Sequence, residues 1–379
     1  MKPIKGLDPN SLFLFFLLVG TTACDAENEG AGSSWNSLPP IDTDTRDCVD
    51  GGEIIVAGMP ANGDGFGIKH LRLDGDTLYF TLQDELYRIN RAGGEVQFVL
   101  DYDPPNFLTH DTNILPHNGI LIDSDQAKVS LISPTDGRLI REIALPSEIS
   151  SWKREHHASN PYLQPSADGR FVYGENIRQA TFEENQARGL EDGLQVMTVW
   201  RIDLELETAQ VISKPLLTAY PMDFYVDSHE TIWFTAWSGD LYFSDPLLLG
   251  GENALFRVTQ ARPDVVELLQ PDIDALNFLG ADGHWLYTHD NAYLQRWSLE
   301  TPRAEVIAFG GGFRPIEKSV LTSEYITIAD YYQTTITHLA SKEVRRVDFG
   351  CGATATDGEY TYGVFRNGDD YGIARIKLN

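Results

Sequence analysis

The stretch from Ile68 to Leu100, IKHLRLDGDTLYFTLQDELYRINRAGGEVQFVL, decides the fold. Its four short apolar runs are separated by Asp74-Gly75-Asp76, Gln83-Asp84-Glu85 and Arg91-Ala92-Gly93-Gly94, so it reads as four strands joined by tight turns. A four-stranded antiparallel meander cannot bury both faces alone and must stack against others of its kind. The later sequence supplies them. Ala281-Asp282-Gly283 precedes Trp285-Leu286-Tyr287, Thr356-Asp357-Gly358 precedes Tyr360-Thr361-Tyr362, and Ala167-Asp168-Gly169 precedes Phe171-Val172-Tyr173. An Arg between apolar or bulky neighbours recurs on the third strand, at Arg88, Arg201, Arg257, Arg296 and Arg375, and this regular placement reads as architecture.

Outward from this template, first-strand turns fall at Asp74-Gly75, Asp123-Ser124-Asp125, Asp168-Gly169, Asp227-Ser228, Asp282-Gly283, Thr322-Ser323-Glu324 and Asp357-Gly358. Their spacings of 49, 45, 59, 55, 40 and 35 residues are those of β-propeller blades. Only two strands follow the last turn, Tyr360 to Phe365 and Tyr371 to Leu378, whereas the apolar run Gly52 to Gly58 is left over before the first unit. Pairing the two leftovers completes a blade and removes a sheet edge. The expectation is an all-β propeller of seven four-stranded blades over residues 51–379, with the outer strand of the last blade supplied by the N-terminal segment. Six or eight blades stay open, because the second and sixth turns are the weakest.

Residues 1–23 read as an address. Lys2 and Lys5 precede the nine-residue apolar run Leu12 to Gly20, too short to span a bilayer as a helix, and Thr21-Thr22-Ala23 leads into Cys24. This series resembles the lipobox of bacterial lipoproteins, with Thr21 where that family usually has Leu. The resemblance implies cleavage before Cys24, attachment to its sulfur of a diacylglyceryl group with palmitate-type chains, and anchoring to a membrane of the bacterial cell envelope. Several acyl chains on one cysteine give stable attachment. Residues 24–50 are small, polar and acidic, with Pro39-Pro40, and form a tether rather than a core. Cys48 and Cys351 are an even pair in an oxidising compartment, which favours a disulfide. They would however approach the propeller from different faces, so both states stay open.

The formal net charge of -27 opposes contact with nucleic acid or anionic lipid headgroups. The expected partners are an envelope protein or a small-molecule ligand, and the expected oligomeric state is a monomer. Gly63-Asp64-Gly65-Phe66-Gly67 precedes a strand pattern rather than a helix, so it lacks the geometry of a phosphate cradle. HExxH, CxxC, EF-hand and GxSxG patterns do not occur. No catalytic residue and no resident cofactor is predicted. Two clusters stand out: His110-Asp111, with His117 seven residues on, in and just after the connection Asp101 to Pro116, and Arg154-Glu155-His156-His157 in the connection Pro146 to Tyr162. Imidazole beside carboxylate can hold a divalent metal or move a proton near neutral pH.

The D-G turns and LYRIN- or ALFRV-like third strands over residues 51–379 resemble the broad bacterial propeller superfamily that includes NHL, PQQ-type and lactonase-like members. Gluconolactonase-like members are metal-dependent hydrolases with Glu, Asn and Asp ligands near the central channel, and no motif here carries those ligands over. Fold alone does not give function. Two readings therefore stand. The first is a lipid-anchored binding or scaffold propeller. The second is a metal-dependent hydrolase or lactonase working at the channel mouth. Long connections follow the outer strands of the first two blades, and long second-to-third connections occupy the next two, around Asn176 to Gly193 and Ser238 to Asn253. All four are expected on one face, as a shared recognition surface.

Overall fold

A computed structural model describes residues 52–60, 68–82, 85–101, 114–124, 127–150, 163–166, 168–187, 194–218, 220–237, 253–273, 277–289, 293–301, 303–309, 320–329, 334–347, 354–367 and 370–378. They build seven antiparallel sheets arranged as a β-propeller. Strand β1 (Glu53–Pro60) belongs to the last blade. Blade 1 is β2 (Lys69–Asp74), β3 (Thr77–Leu82), β4 (Glu85–Asn90) and β5 (Gln97–Asp101); blade 2 is β6 (Leu115–His117), β7 (Ile120–Ser124), β8 (Lys128–Ile132) and β9 (Leu139–Ala144), followed by the single-turn helix α1 (Ser147–Ser150). Blade 3 comprises β10 (Gln164–Pro165), β11 (Phe171–Gln179), the short helix α2 (Phe182–Gln186), β12 (Gln195–Asp203), β13 (Thr208–Val211) and a fifth strand, β14 (Leu216–Thr218). Blade 4 is β15 (Tyr220–Val226), β16 (Ile232–Trp237), β17 (Asn253–Thr259) and β18 (Arg262–Ile273). Blade 5 is β19 (Asn277–Ala281), β20 (Trp285–His289), β21 (Tyr293–Ser298) and β22 (Ala304–Phe309). Blade 6 is β23 (Val320–Leu321), β24 (Tyr325–Ala329), β25 (Thr334–His338) and β26 (Val344–Val347), and blade 7 is β27 (Thr354–Thr356), β28 (Tyr360–Asn367), β29 (Asp370–Lys377) and β1.

The template stretch is the first blade, as the turn pattern requires. Blade 2 corrects one expectation. Its first-strand turn is Asn118-Gly119, not Asp123-Ser124-Asp125, and Ile120–Ser124 is instead the second strand. Asn118 (φ 51°) and Gly119 (φ 76°) both occupy the left-handed region. A two-residue hairpin turn of matching twist needs that conformation, and Asn-Gly adopts it at low cost, whereas Asp-Ser does not. The other six expected turns fall where the sequence puts them.

Closure runs through β1. It pairs antiparallel with β29, so the sheet order is β1-β29-β28-β27, and it reaches two residues beyond the expected Gly58. Arg375 Nε and Nη2 donate to Glu53 Oε2 at 2.8 and 2.6 Å across this seam. Ile55, Val56 and Met59 are buried in a core shared by blades 7 and 1 with Leu71, Phe80 and Tyr362. Gly372 permits the approach, since a Cβ there would overlap both the Phe365 ring and the Val56 carbonyl. Gly174 does the same for Trp200, which lies fully buried across the β11–β12 ladder.

Neighbouring blades meet through apolar faces and are fastened to one another by polar latches. Asp74 accepts from the Asn118 and Gly119 amides of blade 2 at 3.0 and 2.7 Å. His117 Nε2 lies 2.7 Å from the Gly169 carbonyl of blade 3, which fixes that nitrogen as the donor. The Gln164 side-chain amide both donates to and accepts from Val226 of blade 4, at 2.8 Å each, as a backbone group would. Asp223 accepts from the Phe278 amide of blade 5 at 3.1 Å, and Arg91 of blade 1 meets Asp357 of blade 7 at 2.7 Å.

Candidate functional site

The alternation of strands gives the propeller two faces. First-to-second and third-to-fourth turns lie on one, here the turn face; second-to-third connections and links between blades lie on the other.

The recurring motifs belong to the turn face. In blade 5, Asp282 Oδ1 accepts from the His284 and Trp285 amides at 3.0 and 2.9 Å, and Oδ2 accepts from the Tyr287 hydroxyl at 2.7 Å. Tyr287 stands opposite Arg296 in the ladder, and Arg296 stands opposite Glu305. The Arg296 guanidinium lies 4.2 Å from the centre of the Trp285 ring, and its Nη2 donates to Glu305 at 2.6 Å. Blade 7 repeats the set with Asp357, Tyr362, Arg375, Tyr360 and Glu53, and blade 4 substitutes Trp233, whose Nε1 donates to Asp227 at 3.0 Å. Burial raises the Asp282 and Asp357 carboxyls, yet the tyrosine hydroxyls and turn amides outweigh it and hold both below the ordinary aspartate value. Burial, and after it the same carboxylates, push the Tyr287 and Tyr362 phenols upward. Every group in the set has its partner. The third-strand arginines are therefore structural, as their regular spacing suggests. Blades 2 and 6 lack the set, with Leu131 and Ile336 at the arginine position.

Blade 3 carries the most elaborate described structure on the opposite face. Its β11–β12 hairpin runs nine residues on each side, beyond the register of β13, and β14 covers the outer edge of the extension through Gln195–Met197. At its tip Thr181 caps α2 in a capping box. Thr181 Oγ1 accepts from the Glu184 amide at 3.2 Å, and the Glu184 carboxylate accepts from the Thr181 amide at 2.8 Å. Arg178 grips the same carboxylate with two bonds of 2.7 Å. Those bonds from Arg178 and the Thr181 amide hold the Glu184 pKa down at about 2. Asn185 is buried beneath the tip, donating to the Ala180 and Thr181 carbonyls and accepting from the Leu194 amide. Phe182 projects outward and is 64% exposed. The capping box Thr181-x-x-Glu184 was available as a sequence signal for this tip, although the expected loop span began at Asn176, which is still strand.

Strand ends flanking the long connections share this face with the hairpin. They are the ends of β5 and β9 and the starts of β6 and β10, with the facing ends of β16 and β17. His110, Asp111, Arg154, Glu155, His156 and His157 lie outside the described residues, as do Cys24, Cys48 and Cys351. Among the described residues no three His, Cys, Asp or Glu side chains are grouped to hold a metal ion, and no helix is long and apolar enough to cross a membrane.

No known family model and no curated protein matches the chain in sequence. Solved structures match in shape. The chain is similar to the AfRom2 CNH domain at 10% identity and a TM-score of 0.53, covering 86% of this chain and 99% of that one. Looser overlaps occur with Pyrococcus horikoshii acylaminoacyl peptidase (11% identity, TM-score 0.46, 79% of this chain and 48% of that one) and with the nidogen/laminin complex (12% identity, TM-score 0.43, 72% and 93%). At such identities the first likeness speaks for the propeller fold alone.

Proposed function

We propose that this chain is a lipid-anchored propeller of the bacterial cell envelope that works as a binding or scaffold module, with its recognition surface on the face carrying the long connections of blades one to four. The observation that supports this reading most is the placement of the chain's N-terminal side. β1 starts at Glu53 beside Arg375, on the turn face, and runs toward the opposite face at Pro60. An anchor at Cys24 would therefore join the propeller on the face where the recurring Asp, Tyr, Arg and Glu groups pair with one another. The projecting hairpin of blade 3 and the strand ends that flank the long connections would point away from the membrane. A polar tether of this length spans roughly 30 Å as a random coil, enough to hold the domain clear of a headgroup layer of like charge.

The test is membrane partitioning. Cys24→Ser should move the protein from the detergent-extracted membrane fraction into the soluble envelope fraction. Unchanged partitioning would remove the anchor from the reading.

A further inference from the structure

The tip of the blade-3 hairpin combines an exposed aromatic, a braced helix start and an exposed carboxylate. A single exposed apolar side chain is normal on a protein surface, so what sets this one apart is the support beneath it. Phe182 stands 64% exposed on α2, whose start is capped and clamped. Thr181 and Glu184 cap the helix reciprocally, Arg178 clamps Glu184, and buried Asn185 ties both sides of the hairpin together. Such a support removes the ordering cost that a mobile loop would bear on binding, and a rigid aromatic in that position is the usual anchor of a protein contact. Beside Phe182 the Glu183 carboxylate is exposed and makes no ion pair with any described residue. Glu184 is already neutralised by Arg178, so among the described residues of the tip Glu183 is the acidic charge left to meet a partner.

We propose that this tip is a docking point for a partner protein, which lays a basic segment with an apolar side chain against Phe182 and Glu183. The proposal rests on the recognition face assigned above and names the chemistry of its partner. Two features choose protein over lipid. The chain carries a net charge of -27, and the aromatic is flanked by a free carboxylate, so an anionic headgroup layer would be repelled where Phe182 had to enter it. A lysine- or arginine-bearing segment is attracted by the same charges, with the aromatic ring fixing where it binds.

The experiment uses the full-length protein and a fluorescent synthetic peptide with two leucines flanked by lysines, its glutamate-flanked counterpart, and vesicles containing phosphatidylglycerol. Anisotropy should show the lysine peptide binding the parent protein, at least tenfold more weakly after Phe182→Ala or Glu183→Lys, and unchanged after Phe98→Ala, which removes an exposed ring on the outer strand of blade 1. Thr181→Ala, which loosens the support while keeping Phe182, should weaken binding several-fold. Binding within twofold of the parent after Phe182→Ala would show only a general attraction between opposite charges and overturn the proposal. So would absence of binding to the lysine peptide, or Phe182-dependent association with the vesicles. These results do not depend on Cys24→Ser, so failure of the anchor and failure of the docking tip are separately visible.

Discussion

Glu184 shows how much one side chain can organise when geometry gives it several donors. Its carboxylate receives the Arg178 guanidinium and the Thr181 amide together, and its pKa falls from 4.5 to about 2. Because the folded value is depressed, the stabilisation is fully present above pH 4.5 and is lost as the pH drops toward 2. The group is about one-third exposed, and solvent screening limits its worth to about 1 kcal/mol. Glu184→Gln keeps an acceptor for the Thr181 amide but gives up the charge. Hydrogen exchange across residues 178–187 should therefore run several-fold faster in the variant at pH 7, and the difference should shrink steadily as the pH falls from 4.5 toward 2. A difference that persists undiminished at the lower pH would assign the effect to packing. At this scale the sequence is partly legible: Thr181-x-x-Glu184 announces a capped helix start. That Phe182 is left in solvent while Asn185 is buried follows from how the short helix sits on the hairpin and cannot be read from the sequence.

Strands and turns were the most legible elements, and the reason is local chemistry. Asp282-Gly283 and Asp357-Gly358 combine a side chain that accepts amides of its own turn with a glycine at φ of 92° and 90°, and Asp74-Gly75 places its glycine at 58°. Blade 2 escaped because its first strand is only three residues long and its turn begins with Asn118, while an acidic pair five residues later imitated the signal. Closure by β1 was legible for a different reason, since an apolar run and an incomplete blade each need what the other has. Deleting residues 52–58 removes Ile55 and Val56 from the core between blades 7 and 1 and uncovers the edge of β29. We expect the deletion variant to elute from size exclusion as aggregate and, where recoverable, to melt at least about 10 °C lower, given burial of about 1.5–3 kcal/mol per large aliphatic side chain. A monomer with the parent's melting temperature would mean that the seam contributes little to stability.

Across the whole molecule, charge and topology set the behaviour. The described ion pairs are mostly partly exposed, as at Arg375–Glu53 and Lys342–Glu305, and each is worth little by itself. An excess of -27 spread over one domain opposes compactness more persistently, and salt screens it. Raising sodium chloride from about 20 to about 300 mM should therefore raise the melting temperature by a few degrees. A fall would show that local pairs outweigh the general repulsion. By itself the sequence determined the all-β propeller, its closure by the two chain ends and the structural role of the third-strand arginines, and it favoured seven blades over six or eight, because period-two patterning and turn chemistry act within a few residues. Only the tertiary structure decided which polar groups latch one blade to the next, where blade 2 turns, and that β1 starts on the face opposite the blade-3 tip. Those features depend on residues far apart in the chain, Glu53 with Arg375 and Asp74 with Asn118, whose meeting is set by how whole blades pack.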